Sequence, residues 1–186
     1  ELRQQYPRYA NLAMVTSGGE MVCSALPFTP PVSVAQRTWF QRVSHTRAFA
    51  AGDYQIGTLT GKATINMAYP LLDGAQQIRA IINAALDIRW LNNRLAEAPL
   101  PEGTTVSLLD QQGTIVARSP DPDRWVGRSL PEAQIIRTIL AQGEGLVDLP
   151  DVDGVVRVFA FKPLVGAGSQ SSLAIVVGIA KSVVYA

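Results

Sequence analysis

Ala13-Met14-Val15-Thr16-Ser17-Gly18-Gly19-Glu20-Met21-Val22 aligns without a gap on Ser107-Leu108-Leu109-Asp110-Gln111-Gln112-Gly113-Thr114-Ile115-Val116. In each stretch two apolar runs flank a polar, glycine-containing centre. That is the pattern of two strands joined by a tight turn, with Gly19 and Gly113 taking positive φ at little cost. The chain therefore carries one β-hairpin in each half, and a duplicated hairpin implies a duplicated folding unit.

Downstream of the hairpins the order of elements repeats. Trp39-Phe40-Gln41-Arg42 has an echo in Trp125-Val126-Gly127-Arg128, and Ala68-Tyr69-Pro70-Leu71-Leu72 in Phe161-Lys162-Pro163-Leu164-Val165. Each half has a capping-box pattern, Ser33-Val34-Ala35-Gln36 and Ser129-Leu130-Pro131-Glu132, which predicts a helix start at each serine. The second of these helices sets Ile135, Ile136, Ile139 and Leu140 on one face and stops near Gly143, so it packs a core. Strands are predicted over Lys62 to Tyr69 and Ile78 to Leu86, then over Val155 to Lys162 and Leu173 to Ile179, with Pro70 and Pro163 each ending one. Between the copies, Arg89 to Glu97 reads as a helix that Pro99 and Pro101 break. The expected organisation is a lobe over 1–98 and a second over 99–186. The fold class is α+β: two tandem PAS-like lobes, each an antiparallel sheet with flanking helices.

Composition narrows the function. With 186 residues, 47% hydrophobic and 17% charged, the chain has the makings of a packed core rather than a disordered segment. Sixteen Lys and Arg balance fifteen Asp and Glu, and the basic residues are scattered, which argues against a nucleic-acid partner. Cys23 is the sole cysteine, so there is no internal disulfide, and its apolar neighbours predict a small core side chain. The longest apolar run, Leu173 to Ala180, falls short of the ~20 residues of a membrane-spanning helix. The start at Glu1 without methionine leads to the expectation that flanking membrane helices lie outside this sequence.

Catalytic patterns are missing from the sequence. His45 is the sole histidine, which rules out a multi-histidine metal site. Gly57-Thr58-Leu59-Thr60-Gly61-Lys62-Ala63 is one residue too short for a phosphate loop and ends in Ala63 where a magnesium-binding hydroxyl belongs. Asp121 with Asp123, and Asp151 with Asp153, sit in turn-like stretches that turn chemistry explains. The reading is a non-enzyme, with no cofactor and no metal.

The chain resembles the double Cache family, extracytoplasmic sensor domains of bacterial histidine kinases, diguanylate cyclases and chemoreceptors. The resemblance rests on Leu-Leu-Asp110-x-x-Gly113-x-Ile-Val-Ala-Arg118-Ser119-Pro120, Arg37-Thr38-Trp39-Phe40, Tyr54-x-Ile56-Gly57, Thr60-Gly61-Lys62, Ala68-Tyr69-Pro70 and Leu86-Asp87-Ile88. It implies a periplasmic module of a membrane-anchored receptor whose first, membrane-distal lobe holds a small-molecule ligand such as an amino acid or small carboxylate. Leu2 to Tyr9 then looks like the end of the family's N-terminal helix.

In amino-acid-binding relatives an arginine and tryptophan placed like Arg37 and Trp39 contact the ligand carboxylate, with a tyrosine where this chain has Phe40. Asp87 matches the aspartate that pairs with the ammonium, and Trp39, Tyr54 and Tyr69 offer ring faces to that cation. The residues also allow plainer roles: Asp87 as the N-cap of the following helix, Trp39 and Phe40 as core, Arg37 as a surface charge. In the second lobe Arg124 and Trp125 echo Arg37 and Trp39, but Gly178-Ile179-Ala180 supplies no aspartate, so no ligand is expected there. The rival reading is a ligand-free interaction module, including a homodimer, in which the aromatic cluster is core.

Overall fold

A computed structural model describes residues 5–164 and 173–184. The chain divides between Trp90 and Leu91 into two compact units. The first holds a sheet in the order β2-β1-β6-β5-β3, with β4 on β5. Its strands are β1 (Tyr9–Thr16), β2 (Met21–Ser24), β3 (Ala50–Ala51), β4 (Gln55–Ile56), β5 (Ala63–Leu72) and β6 (Ile78–Asp87). The second holds a sheet in the order β8-β7-β11-β10-β9. Its strands are β7 (Thr104–Asp110), β8 (Ile115–Ser119), β9 (Gly145–Pro150), β10 (Val156–Pro163) and β11 (Leu173–Ala180). Every pairing is antiparallel. The helices are α1 (Thr38–Thr46), α2 (Ile88–Ala96), α3 (Pro122–Trp125), α4 (Gln134–Gln142) and α5 (Lys181–Val184).

Both predicted hairpins form, β1 with β2 and β7 with β8, and Gly19 and Gly113 turn with φ of 86° and 73°. A side chain at Gly19 would also collide with backbone, since a Cβ there lies 2.8 Å from the Ala35 nitrogen.

The capping boxes do not cap. α1 and α4 begin at Thr38 and Gln134, after Arg37 and Ala133, and neither start has a side-chain cap. Ser33 and Ser129 instead form isolated bridges to the hairpin residues Glu20 and Thr114. The next residues dock on the turn glycines: the Val34 amide donates to Gly19 O and the Leu130 amide to Gly113 O. One further turn follows in each copy, Arg37 N to Val34 O and Ala133 N to Leu130 O. Pairing with the hairpin satisfies the backbone there, so the helix starts one turn later.

This bonding makes Arg37 equivalent to Ala133, Trp39 to Ile135, Phe40 to Ile136 and Val43 to Ile139. The echo of Trp39 in Trp125 is therefore false: Trp125 ends α3, a short helix before the bridge.

Each helix covers one face of its sheet. Trp39, Phe40 and Val43 pack with Val15, Ala50, Ala68 and Ile81; Ile135, Ile136 and Ile139 pack with Leu109, Ile115, Phe159 and Val176. Leu140, expected in that face, is exposed. Cys23 is exposed as well, because β2 is a four-residue edge strand. Pro70 does not end its strand: β5 continues to Leu72, with Pro70 opposite Ile81. Of the helix end expected over Leu2 to Tyr9, the first residues lie outside the described ones; within them Tyr9 opens β1. Val165, the last residue of the second strand echo, also lies outside. Among the described residues no helix is long and apolar enough to cross a membrane.

Candidate functional site

Strand alternation decides what the first unit shows to its helix. Ala13 on β1, Asn83 on β6 and Ala68 on β5 form one row across the sheet, and Asn11, Ala85 and Asn66 form the next. These residues, apart from Ala68, floor a narrow cavity of about 40 Å³. Val15, Met21, Val32 and Val34 wall one side, Arg37 and Trp39 come from the start of α1, and Gln55 with the Gly57 to Thr60 loop closes the other side. That loop, the false phosphate loop of the sequence, is held by bonds from the Gly57 amide to Lys62 O and from the Gly61 amide to Gly57 O.

The floor is polar. Thr64 Oγ1 donates to Asn66 Oδ1 (3.1 Å), Asn66 Nδ2 to Asn83 Oδ1 (3.0 Å), and Asn83 Nδ2 to Met67 O (3.4 Å). Asn11 meets Ser24 Oγ at 3.0 Å. Arg37 donates through Nη2 to Thr58 Oγ1 (2.7 Å) and through Nη1 to Gln55 Oε1 (3.4 Å), both neutral acceptors. The Trp39 indole is 1% exposed, and its Nε1–H is a buried donor without a hydrogen-bond partner. A buried donor left unpaired is costly, and a ligand acceptor would remove that cost.

Of the six residues singled out from the sequence, Arg37 and Trp39 line the cavity. Phe40 stands beside it in the core, edge-on to Trp39 with centroids 6.0 Å apart. Tyr54 is half-buried and outside the lining, and Tyr69 points to the opposite face of β5, where it is 60% exposed.

Asp87 also lies outside the lining. It accepts from the Arg89 amide (2.9 Å), capping α2, and pairs with Lys62 Nζ at 3.0 Å. Burial alone would raise its carboxyl, but the hydrogen bonds from Lys62 and the Arg89 amide, with the Lys62 charge, outweigh that and hold it below the usual range. The signal missed in the sequence was Asn11, Asn66 and Asn83: asparagine is disfavoured in strands, and three at inward positions mark a polar floor.

In the second unit the same place is narrower: Ser107, Arg118, Ile135, Asp151, Phe159 and Val176 are among the residues lining a cavity of about 20 Å³. Ser107, Val176 and Phe161 form one row, and Thr105, Gly178 and Phe159 the next. Phe159 thus replaces Asn66 and Val176 replaces Asn83. A Cβ at Gly178 would run into the Phe159 ring, which packs on that glycine and lines the cavity.

Beside it Arg118 bonds Ser107 Oγ (3.0 Å) and Asp151 (2.7 and 3.4 Å), and Arg157 bonds Asp151 (2.8 Å) and Asp153 (2.7 and 2.8 Å). Asp151 and Asp153 do form a turn, as expected, but Asp151 is also the buried centre of this network. The Asp153 carboxyl, which burial would raise, is lowered by its bonds from Arg157 and the Val155 amide and by the two guanidinium charges. Arg118, Arg124 and Arg128 each lie within 5.8 Å of the Trp125 ring centroid.

The sequence profile of the Cache domain family matches residues 1–186. Among curated proteins, sporulation kinase D of Bacillus subtilis (strain 168) is 22% identical over 113 residues, 61% of this chain and 22% of that protein; the chain spans about a fifth of its length. Among solved structures, the extracellular domain of the histidine kinase candidate rpHK1S-Z16 superposes with a TM-score of 0.76 at 15% identity, covering 100% of this chain and 76% of that one. The ligand binding domain of the Pseudomonas aeruginosa PAO1 amino acid chemoreceptor PctB, in complex with L-Arg, superposes with a TM-score of 0.72 at 16% identity, covering 100% and 76%.

Proposed function

We propose, because the chain belongs to the Cache domain family over residues 1–186, that its first unit is the ligand-binding lobe of an extracytoplasmic sensor in a membrane-bound receptor of the kinase or cyclase type. The observation that carries this is the cavity beneath Arg37 and Trp39, with a cation and an amide floor within one small space and the Trp39 indole in its wall. Such a site suits a small polar molecule of the amino acid or carboxylate kind: a guanidinium gives a carboxylate a bidentate, charge-assisted pair, and the buried indole adds a donor. A relative with this fold, PctB, was solved with L-Arg bound.

Signalling needs a ligand that favours one arrangement of the receptor over another. α5, which follows β11 directly and leads to Ala186, is the element that would carry a displacement toward the membrane.

The test is a thermal-shift panel of amino acids and small carboxylates on the parent chain and on Arg37→Ala. A ligand at a hundred times its Kd stabilises by about 2.7 kcal/mol. The expected result is a shift for one compound class that Arg37→Ala loses. A shift that persists in the variant, or none across the panel, contradicts the proposal.

A second reading, pairing with another copy of the chain, draws on the opposite face of the first sheet. There Cys23, Met14, Ile82 and Tyr69 form one cross-strand row, with Ile82 and Tyr69 exposed. Sedimentation velocity tests it: self-association abolished by Ile82→Asp supports it, and a monomer at every concentration contradicts it.

A further inference from the structure

We infer that the first-unit cavity takes a small carboxylate without an α-ammonium group, a hydroxy- or keto-carboxylate, in preference to the amino acid of the same skeleton. The inference rests on the ligand-binding reading above and deepens it.

An amino acid brings two opposite charges into a site, and a buried ammonium without an acidic partner is expensive. The cavity offers a counterpart for only one of them. Arg37 supplies positive charge, and among the described residues its bonds go to neutral oxygens, so it remains uncompensated for an anion. No acid is in the lining, which otherwise consists of amides, hydroxyls and apolar groups.

The four acids of residues 5–90 are all placed elsewhere. Asp87 is committed to Lys62 and to the first turn of α2. Asp53 is buried and outside the cavity wall; its Oδ1 pairs with Arg42 at 2.8 Å, while its Oδ2 has no partner among the described residues. Asp73 caps its own turn by accepting from the Ala75 and Gln77 amides, and Glu20 is exposed in the hairpin.

What the cavity does hold for the α-position is a row of carboxamides. Asn66 and Asn83 both donate and accept, so each can serve a hydroxyl or a keto oxygen. The unpaired Trp39 Nε1–H asks for an acceptor, which a carboxylate, hydroxyl or keto oxygen provides and an ammonium does not.

Matched pairs separate the classes: glycolate with glycine, L-lactate with L-alanine, L-malate with L-aspartate, and 2-hydroxyisocaproate with L-leucine, each titrated calorimetrically into the whole chain. The expected result is at least one hydroxy acid binding more than roughly tenfold tighter than its amino partner, the preference that an unpaired charge imposes. Asn83→Asp, which adds a carboxylate without changing volume, should narrow or reverse the ratio, while the parent comparison stands without any variant. An amino acid binding as tightly as its hydroxy partner overturns this inference and leaves the cavity as the binding site. No binding by either class, or binding unaffected by Arg37→Gln, overturns the binding reading itself and the inference with it.

Discussion

The two units fold the same motif around different interiors: where the first places Arg37, Trp39, Asn66 and Asn83, the second places Ala133, Ile135, Phe159 and Val176. Hairpin, docked turn, helix and the register of these rows coincide, while the first unit has β3, β4 and the Gly57 to Thr60 loop where the second has β9. The first unit keeps a polar hollow and leaves a buried indole donor unpaired. The second narrows the hollow with a phenyl ring and pairs its buried charges in a network of Arg118, Asp151, Arg157 and Asp153, in which the Arg118 and Arg157 Nε donors are left without partners among the described residues. A more tightly packed, apolar interior is the more stable one, and a polar hollow gives up some of that stability.

That contrast is sharpest where it is broken. Asp151→Ala strands two buried guanidinium groups, and chemical denaturation should show a loss of about 3–5 kcal/mol. Phe159→Ala hollows the second unit as the first is hollowed, at a cost of about 3–5 kcal/mol by the same measurement. Ligand affinity at the first unit should survive both in whatever fraction remains folded. Asp87→Ala removes a helix cap and the Lys62 pair, with an expected loss of about 0.5–2 kcal/mol.

Arg37→Ala should cost the least stability, within about 0.5 kcal/mol, because Arg37 is half-buried and bonded only to neutral groups. It should nevertheless abolish ligand-induced stabilisation, the reverse of the Asp151 pattern.

The acids also set a pH response. Asp87 and Asp153, one in each unit, titrate below their ordinary value when folded. Their stabilisation is therefore complete above the unfolded carboxylate value of about 3.9, and is lost as pH falls through the lower folded values. Melting temperature should stay level from neutrality to about pH 5 and drop below about pH 4. Asp87→Asn with Asp153→Asn should flatten that drop.

The hairpins were legible because their information is local: a glycine at a turn, strands on either side. The helix starts were misread because Ser33 and Ser129 had a competing use, the bridge to the hairpin, that only the fold reveals. Trp125 resembled Trp39 because a tryptophan near an arginine looks alike in any alignment. The bridge residues show instead that α3 intervenes and that Ile135 is the true counterpart. Asp87 allowed two roles from sequence, ligand contact and helix cap; the fold shows it capping α2 through the Arg89 amide and paired with Lys62, 25 positions away. The asparagine floor was overlooked because each asparagine alone reads as an ordinary polar residue. Only strand register brings Asn11, Asn66 and Asn83 to one surface.

The central claim, that the first unit binds and the second does not, has a built-in reporter. The chain has three tryptophans: Trp39 in the cavity, Trp125 in the second core and Trp90 in α2. Their indole N–H resonances, assigned by Trp→Phe variants in a nitrogen-15 correlation spectrum, are to be followed while the small-carboxylate panel is titrated. The account predicts saturable movement of the Trp39 resonance with Trp125 unmoved. A saturable shift at Trp125 with Trp39 stationary, or no movement at Trp39 with any ligand that binds the chain, would contradict it.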